Sequence, residues 1–230
     1  MKKPLTKLQE EVLKSFFTQP IGKSYFLTGG TALSGFYFYH RESIDLDLFT
    51  FETIEIEPIR QLFEDIATKV HLSLDHRVAT EGYHKFFLTG KKQELKIDLV
   101  KDQNVHFGDT ATFGNIRVDS IENIGSNKIT AIFGRTEAKD FIDLYFILKK
   151  KLFTFQKLLR DAKKKDLGLS EFYLAHMLME VKNLKNFPEM FVPFNKDQME
   201  SYFVSLANKL LLEAKPKDSE ILQKLSVLDK

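Results

Sequence analysis

The segment that decides the fold is LTGGTALSGFYFYHRESIDLDLF, residues 27–49. Near its end, residues 44–48 alternate apolar and acidic side chains, and alternate residues of a β-strand point to opposite faces. Ile44, Leu46 and Leu48 therefore face a core, while Asp45 and Asp47 share the other face, roughly 7 Å apart. Two carboxylates this close repel each other unless a cation lies between them, and their hard oxygen atoms suit magnesium. The strand predicts a divalent metal site, although an Asp-x-Asp pair alone also fits a solvated strand face.

At the start of the segment, two glycines separate a short apolar strand, residues 25–27, from a predicted helix, residues 31–39. Gly29 and Gly30 let the backbone approach a ligand closely, because glycine adopts positive φ angles. The first helical turn would offer free N–H groups and the positive end of the helix dipole to a phosphate, with the Thr31 hydroxyl as a further donor. The glycine pair alone also fits an ordinary strand-to-helix turn. Together with the carboxylates, it favours a site for phosphate and metal.

Asp98 is the candidate for a third carboxylate. In residues 96–100, Ile97 and Leu99 point to one face of a predicted strand and Asp98 points to the other. A strand of this kind beside the Asp-x-Asp strand would add Asp98 to the metal site. Taken alone, it fits equally well a solvent-facing aspartate on a half-buried strand.

Lys128 interrupts an apolar helical stripe that is otherwise formed by Ile121, Ile124, Gly125 and Ile132. Two interpretations fit this position. The lysine stem packs on the core while the ammonium snorkels to water, which is the usual outcome for an isolated lysine, or the ammonium reaches a functional site.

A predicted helix over residues 138–148 brings three charged side chains to one edge, because Lys139, Asp140 and Asp143 are spaced three and four residues apart. Asp140 lies in the first turn, where the helix dipole favours a carboxylate by roughly 0.3–1 kcal/mol. This structural explanation accounts for Asp140 better than for Asp143.

Four motifs within about residues 23–148 resemble the nucleotidyltransferase superfamily, and more closely its AbiEii-type toxin branch. They are Gly29-Gly30-Thr31-Ala32-Leu33, Arg41-x-Ser43-x-Asp45-Leu46-Asp47-Leu48-Phe49, Lys128-Ile129-Thr130-Ala131 and Arg135-x-x-x-Lys139-Asp140-x-x-Asp143. The last motif is the most specific, because it fixes several charged positions that a generic polymerase-like fold does not require.

The resemblance implies a role for each residue of these motifs. The ligands of two Mg²⁺ ions would be Asp45, Asp47 and Asp98, of which Asp98 would also help to activate the attacking group. The residues that cradle phosphate would be Gly29, Gly30 and Thr31. The cations that neutralise the triphosphate would be Lys128, Arg135 and Lys139, of which Lys128 would also be catalytic. Asp143 is assigned to catalysis and Asp140 to nucleotide binding, but the sequence does not separate the roles of these two aspartates.

The same resemblance implies an activity: the transfer of a nucleoside monophosphate from a nucleoside triphosphate to RNA, with release of pyrophosphate. It suggests the 3′ acceptor end of tRNA as the acceptor, and a toxin of a toxin–antitoxin or phage-defence pair with a cognate antitoxin protein. Two alternatives remain open. One is nucleotidyl transfer to a protein or a small molecule, and the other is a non-catalytic nucleotide-binding interaction module.

Along the whole chain, the patterns predict an α+β fold with a nucleotidyltransferase-like mixed sheet and flanking helices, followed by a helical C-terminal half. Helices are predicted over residues 5–17 and 56–70, and a meander of strands over residues 72–79, 83–89 and 95–100. Ser120 is the predicted N-cap of a helix over residues 121–133. The predicted domains are residues 1–119, which form the catalytic domain, and residues 120–230, which contribute Lys128 and the last motif to the cleft.

Composition sets the remaining bounds. The 230 residues are 43% hydrophobic and include 22 Phe, which suffices for a core without disulfides. The chain lacks a P-loop motif and a Gly-x-Ser-x-Gly elbow, which argues against those two site types. It has no Cys, no apolar leader and no run of the roughly 18 apolar residues that a membrane span needs. We therefore expect a cytoplasmic protein with no membrane partner.

Overall fold

The centre of the fold is a mixed sheet of seven strands in the computed structural model, which describes residues 4–91 and 93–213. The strands are β1 Tyr25–Thr28, β2 Leu46–Thr50, β3 Ser73–Ala79, β4 Tyr83–Thr89, β5 Glu94–Lys101, β6 Ala111–Phe113 and β7 Ile116–Val118. Their order across the sheet is β3-β4-β5-β2-β1-β7-β6. The β2–β5 and β1–β7 pairs are parallel, and the other neighbours are antiparallel.

The helices pack on this sheet and then form the second half of the chain. They are α1 Lys7–Thr18, α2 Gly29–Ala32, α3 Ile56–Lys69, α4 Ile121–Gly134, α5 Ala138–Lys149, α6 Phe155–Lys165, α7 Glu171–Met179 and α8 Lys196–Glu213. Short 3₁₀ helices cover Pro20–Ser24 and Glu180–Asn183. The predicted mixed sheet, the antiparallel meander β3-β4-β5 and the helical C-terminal part are confirmed.

The helix predicted over residues 31–39 has a different form. It begins two residues earlier, at Gly29, runs as an α-helix to Ala32 and continues as a π-helix over Leu33–Phe38. Tyr39 then ends it in the left-handed conformation, with φ 53°. One turn of α-helix followed by a π segment therefore follows the glycine pair, in place of one regular helix.

The placement of Ile44 in the core is wrong, because β2 begins at Leu46 and Ile44 is 61% exposed. Thr28, the last residue of β1, pairs with Asp47, and the chain turns away at Gly29, so β1 offers no partner to the residues before β2. Leu46 and Leu48 are fully buried as predicted. Strands β6 and β7 were not predicted, since three residues each are too few to show a pattern.

The junction between the sheet and the helical half is built on Asp119, which is fully buried. Its carboxylate accepts hydrogen bonds from the Thr28 hydroxyl at 2.5 Å and from Asn123 Nδ2 at 2.9 Å. Ser120 caps α4 as predicted, its hydroxyl accepting from the Asn123 N–H at 2.9 Å. The division at residue 119 stays a prediction, and residues 214–230 of the second predicted domain lie outside the described residues. Within the described part of the chain, none of the helices combines the length and the apolar character needed to cross a membrane.

Candidate active site

A cavity of about 380 Å³ lies between the strands β2 and β5 on one side and α4 with the start of α5 on the other. Most of the residues that the motifs pointed to line it together: Gly29, Gly30, Asp45, Asp47, Asp98, Lys128, Arg135, Lys139 and Asp140. The sheet wall carries Asp45, Asp47 and Asp98 together with Lys96, and the helix wall carries Lys128, Arg135 and Lys139 together with Asp140. The fold thus brings into one cleft residues that lie up to 111 positions apart in the sequence, from Gly29 to Asp140.

The sheet wall carries the three predicted carboxylates. β2 and β5 run parallel with Asp47 directly opposite Asp98, and Asp45 lies two residues before Asp47. Burial, and then the charges of Asp98 and Asp45, raise the pKa of Asp47 from 3.8 to about 6. Lys96, on the same face of β5 as Asp98, places its Nζ 2.8 Å from Asp45 Oδ2 and 3.4 Å from Asp98 Oδ2. Asp45 and Asp98 therefore share the ammonium group of Lys96.

The glycine pair lets charged side chains approach the backbone. Gly29 has φ +70°, and a Cβ built on it would lie 2.2 Å from Asp47 Oδ2. A Cβ on Gly30 would lie 2.4 Å from Arg41 Nη2. Any larger residue at either position would push Asp47 or Arg41 away, so the close approach that glycine permits serves side chains of the site itself.

On the helix wall, Lys128 is held between two aspartates. Its side chain is 8% exposed, and its Nζ lies 2.8 Å from Asp140 Oδ1 and 2.7 Å from Asp143 Oδ2. Burial opposes its charge, but Asp143 and Asp140 outweigh burial and raise the pKa of Lys128. Asp140 also accepts from Arg135 Nε at 2.8 Å, so one carboxylate holds two of the predicted phosphate-binding cations.

Behind this wall, Asp143 is fully buried and receives four donors. Arg41 contacts both of its oxygens, Nε to Oδ1 and Nη2 to Oδ2, each at 2.7 Å. His40 Nε2 lies 2.9 Å from Oδ1, and Lys128 contacts Oδ2. Burial would raise the pKa of Asp143, but the charges of Arg41 and Lys128 hold it well below its usual value. This cluster connects α5 with the segment before β2.

A protein-family model described as "Nucleotidyl transferase AbiEii toxin, Type IV TA system" matches residues 11–216. The chain belongs to the AbiEii nucleotidyltransferase toxin family. This AbiEii chain is therefore a nucleotidyltransferase, as the motifs suggested. The type IV toxin–antitoxin classification implies a nucleotide substrate and a cognate antitoxin.

Solved structures agree with the fold. A protein from H. pylori assigned as a nucleotidyltransferase is 20% identical to the AbiEii chain, with a TM-score of 0.61 over 92% of this chain and 96% of that one. JHP933 from Helicobacter pylori is 21% identical, with a TM-score of 0.60 over 97% of this chain and 96% of that one. At these identities the likeness shows the fold alone. No curated protein matches the chain.

Two predicted residues do not line the cavity of the AbiEii enzyme. The Thr31 hydroxyl is buried and donates to the Asp45 carbonyl oxygen, with Ser43 Oγ at 2.8 Å, so it fixes the residue before β2 and does not line the cavity. Asp143 lies behind Lys128 and Arg41 and positions them. The snorkelling interpretation of Lys128 is wrong, because its ammonium is buried between aspartates.

Sequence reasoning gave no role to Arg41, His40 or Lys96. Arg41 stands inside the second motif, but its function depends on Asp143, 102 residues away, which no local pattern reveals. Lys96 had a usable signal, because strand alternation places it on the same face as Asp98 two residues later. Because the carboxylates repel each other, a cation is expected near them, and a lysine on that face supplies it.

A divalent cation fits the acidic wall of the AbiEii cleft by the chemistry of its donors. Within residues 4–91 and 93–213, no group of three or more His, Cys, Asp or Glu side chains is arranged to hold a metal ion, and Lys96 lies against two of the predicted ligands. Three neighbouring carboxylates, one with a raised pKa, nevertheless form a repulsive cluster whose charge a divalent ion would offset.

Proposed function

We propose that this AbiEii-family enzyme uses magnesium to transfer a nucleoside monophosphate from a nucleoside triphosphate to RNA, with the 3′ end of tRNA as the acceptor. The observation that carries the proposal is the division of the cavity, in which Asp45, Asp47 and Asp98 face a wall of cations. One wall suits metal ions and the other suits phosphates. The RNA acceptor and the phage-defence role rest on the resemblance of the motifs.

In the proposed reaction, the oxygen of an acceptor hydroxyl forms a bond to the α-phosphorus. The bond between that phosphorus and the oxygen bridging to the β-phosphate breaks, and pyrophosphate leaves. Asp98 would accept the proton of the hydroxyl, a role that the resemblance of the motifs implies, and its place in the cavity wall opposite Asp47 is compatible with that role. Asp45, Asp47 and Asp98 would hold two Mg²⁺ ions, whose charge would stabilise the phosphoryl oxygens when bound.

The cations would bind the triphosphate. Lys128 and Lys139 reach the cavity from α4 and α5, and Arg135 reaches it from the turn between them. Asp140 orients Lys128 and Arg135, and Asp143 orients Lys128 from behind. A triphosphate would therefore meet donors that are already fixed, which is the arrangement that favours charge stabilisation during transfer.

The test is incubation of the full chain with total RNA, magnesium and each labelled nucleoside triphosphate in turn. Asp47→Asn should lose label incorporation by a hundredfold or more, whereas Asp75→Asn, on the exposed face of the outer strand β3, should keep it. Label in a tRNA-sized band that depends on Asp47 would support the proposal.

Other products would contradict it in different ways. Label on protein or on a small molecule would replace RNA as the acceptor. Magnesium-dependent binding of a triphosphate without any transfer would favour the non-catalytic interaction module.

A further inference from the structure

A second cavity, which we call the side cavity, adjoins the proposed catalytic cavity. It measures about 190 Å³, and Asn127 and Thr130 of α4 line both cavities. Its other walls include Asp102 and Gln103, just beyond β5, and Lys165 at the end of α6. Asp102 follows Asp98 by four residues, about 13 Å along an extended chain. Because Asn127 is the chain neighbour of Lys128 and lines both cavities, a ligand with phosphates beside Lys128 would lie next to the side cavity.

Lys165 is the cation of the side cavity, which is also lined by the carboxylates of Asp102 and Asp166. Its Nζ donates to Asn123 Oδ1 at 2.5 Å and to Asn127 Oδ1 at 2.6 Å, and neither of these acceptors carries a charge. Burial lowers the pKa of Lys165, although Asp102 and Asp119 act in the opposite direction. An ammonium group has three N–H donors, so one remains for a further acceptor.

The two cavities differ in chemistry and size. The catalytic cavity presents three neighbouring carboxylates and several cations, which suit metal and phosphate. The side cavity combines amides, a hydroxyl and a lysine with the carboxylates of Asp102 and Asp166, and this mixture of donors and acceptors suits the edge of a base. Drug-sized ligands occupy pockets of about 300–1,000 Å³, so a volume of about 190 Å³ corresponds to a fragment of a ligand. A nucleobase is the fragment of a nucleoside triphosphate that presents both ring edges and hydrogen-bonding groups.

We propose that the side cavity receives the base of the incoming nucleoside triphosphate and that Lys165 donates a hydrogen bond to a carbonyl oxygen of that base. The inference rests on the proposed function, because it requires the triphosphate to lie in the catalytic cavity. Cytosine, uracil and guanine carry a carbonyl oxygen and adenine does not, so ATP is the disfavoured nucleotide.

The test measures the binding of ATP, CTP, GTP, UTP and inorganic tripolyphosphate to the full chain in the presence of magnesium. The wild type should bind at least one carbonyl-bearing nucleotide tenfold or more tightly than ATP. Lys165→Met should remove most of this preference and leave tripolyphosphate binding unchanged, which also shows that the variant is folded. Lys165→Gln, which retains an amide donor, should lose less of the preference.

Lys164→Met is the matched control. Lys164 neighbours Lys165 on α6 and lies at a similar distance from the Phe107 ring, 5.5 Å against 5.6 Å, but it is exposed and does not line the side cavity. The selectivity of the Lys164→Met variant among the four nucleotides should equal that of the wild type.

Three results would overturn the inference while leaving the proposed function intact. They are equal wild-type affinities for all four nucleotides, an equal loss of nucleotide and tripolyphosphate binding in Lys165→Met, and a change in RNA acceptor choice with unchanged nucleotide affinities. The last result would assign the side cavity to the terminal base of the acceptor. Failure of the wild type to bind any nucleotide or tripolyphosphate would instead overturn the proposed function itself.

Discussion

Asp47 destabilises the folded protein, because it is ionised beside two other carboxylates at neutral pH. Burial and the charges of Asp98 and Asp45 raise its pKa to about 6, and Lys96 offsets only part of the repulsion. The acidic pair was predictable from strand alternation alone. The buried partners of Lys128 were not, because Asp140 and Asp143 come from another helix and meet it only in the folded chain.

We predict that Asp47→Asn stabilises the metal-free protein at about pH 8 while it abolishes transfer. A raised native pKa means that the folded state binds the proton of Asp47 more tightly than the unfolded state does. Ionisation of Asp47 therefore does not lower the free energy of unfolding below about pH 4, lowers it increasingly up to about pH 6, and has its full effect above that pH. The rise from 3.8 to about 6 corresponds to at most about 3 kcal/mol. Urea unfolding in the presence of a chelator, at several pH values, measures the difference.

The difference between the wild type and Asp47→Asn should shrink as the pH falls from 6 toward 4, and a difference independent of pH would contradict this prediction. Added magnesium should stabilise the wild type more than the variant, because a ligand of the native state raises stability by mass action. Asp75→Asn, on the outer strand, should follow the wild type in both measurements.

At the scale of elements, the turn from β1 to α2 connects the proposed phosphate side of the cleft with the proposed metal side. Gly29 follows β1 with a positive φ angle and leaves room for Asp47 of the neighbouring strand. Strands with clear alternation, β2 and β5 above all, could be predicted from the sequence. The π-helical continuation of α2 and the three-residue strands β6 and β7 could not, because their form depends on contacts made elsewhere in the fold.

Gly29→Ala should reduce both stability and activity. The added Cβ would meet Asp47 Oδ2 at 2.2 Å, and the positive φ angle costs a further 1–2 kcal/mol or so for a residue with a Cβ. Gly114→Ala is the matched control, because Gly114 has φ +64° and, among residues 4–91 and 93–213, no atom lies within 4 Å of the added Cβ. Denaturant midpoints and label incorporation measure the two effects.

The control should lose only about 1–2 kcal/mol of stability and keep full activity. Gly29→Ala should lose more stability and at least tenfold in transfer rate, since Asp47 must move. Equal behaviour of the two variants would show that the contact with Asp47 has no effect.

At the scale of the whole molecule, buried polar groups join the two predicted domains. Asp119 connects β1 with α4, and Asp143 on α5 binds Arg41 in the segment before β2. Separating the halves would break the contact between Arg41 and Asp143 and leave Asp143 with Lys128 alone, and breaking such a buried pair costs about 3–5 kcal/mol. The change from strand patterns to helical patterns predicts a boundary near residue 119. The polar contacts across that boundary could not be predicted, because they form only in the folded chain.

We therefore expect the full chain to unfold in a single cooperative transition. Differential scanning calorimetry should give a calorimetric enthalpy equal to the van't Hoff enthalpy. Two resolved transitions, with one of them retained in Arg41→Ala, would show that residues 1–119 and 120–230 unfold independently.

The contact between Arg41 and Asp143 also bears on how a toxin is made. Ribosomes synthesise the chain from its N-terminus, so Asp45, Asp47 and Asp98 leave the exit tunnel before Lys128 and Asp143. Until α4 and α5 have emerged, the carboxylates face no cationic wall and Arg41 has no anion. The cleft of a nascent chain is therefore incomplete. The complete active site of the toxin forms only after synthesis has passed residue 143.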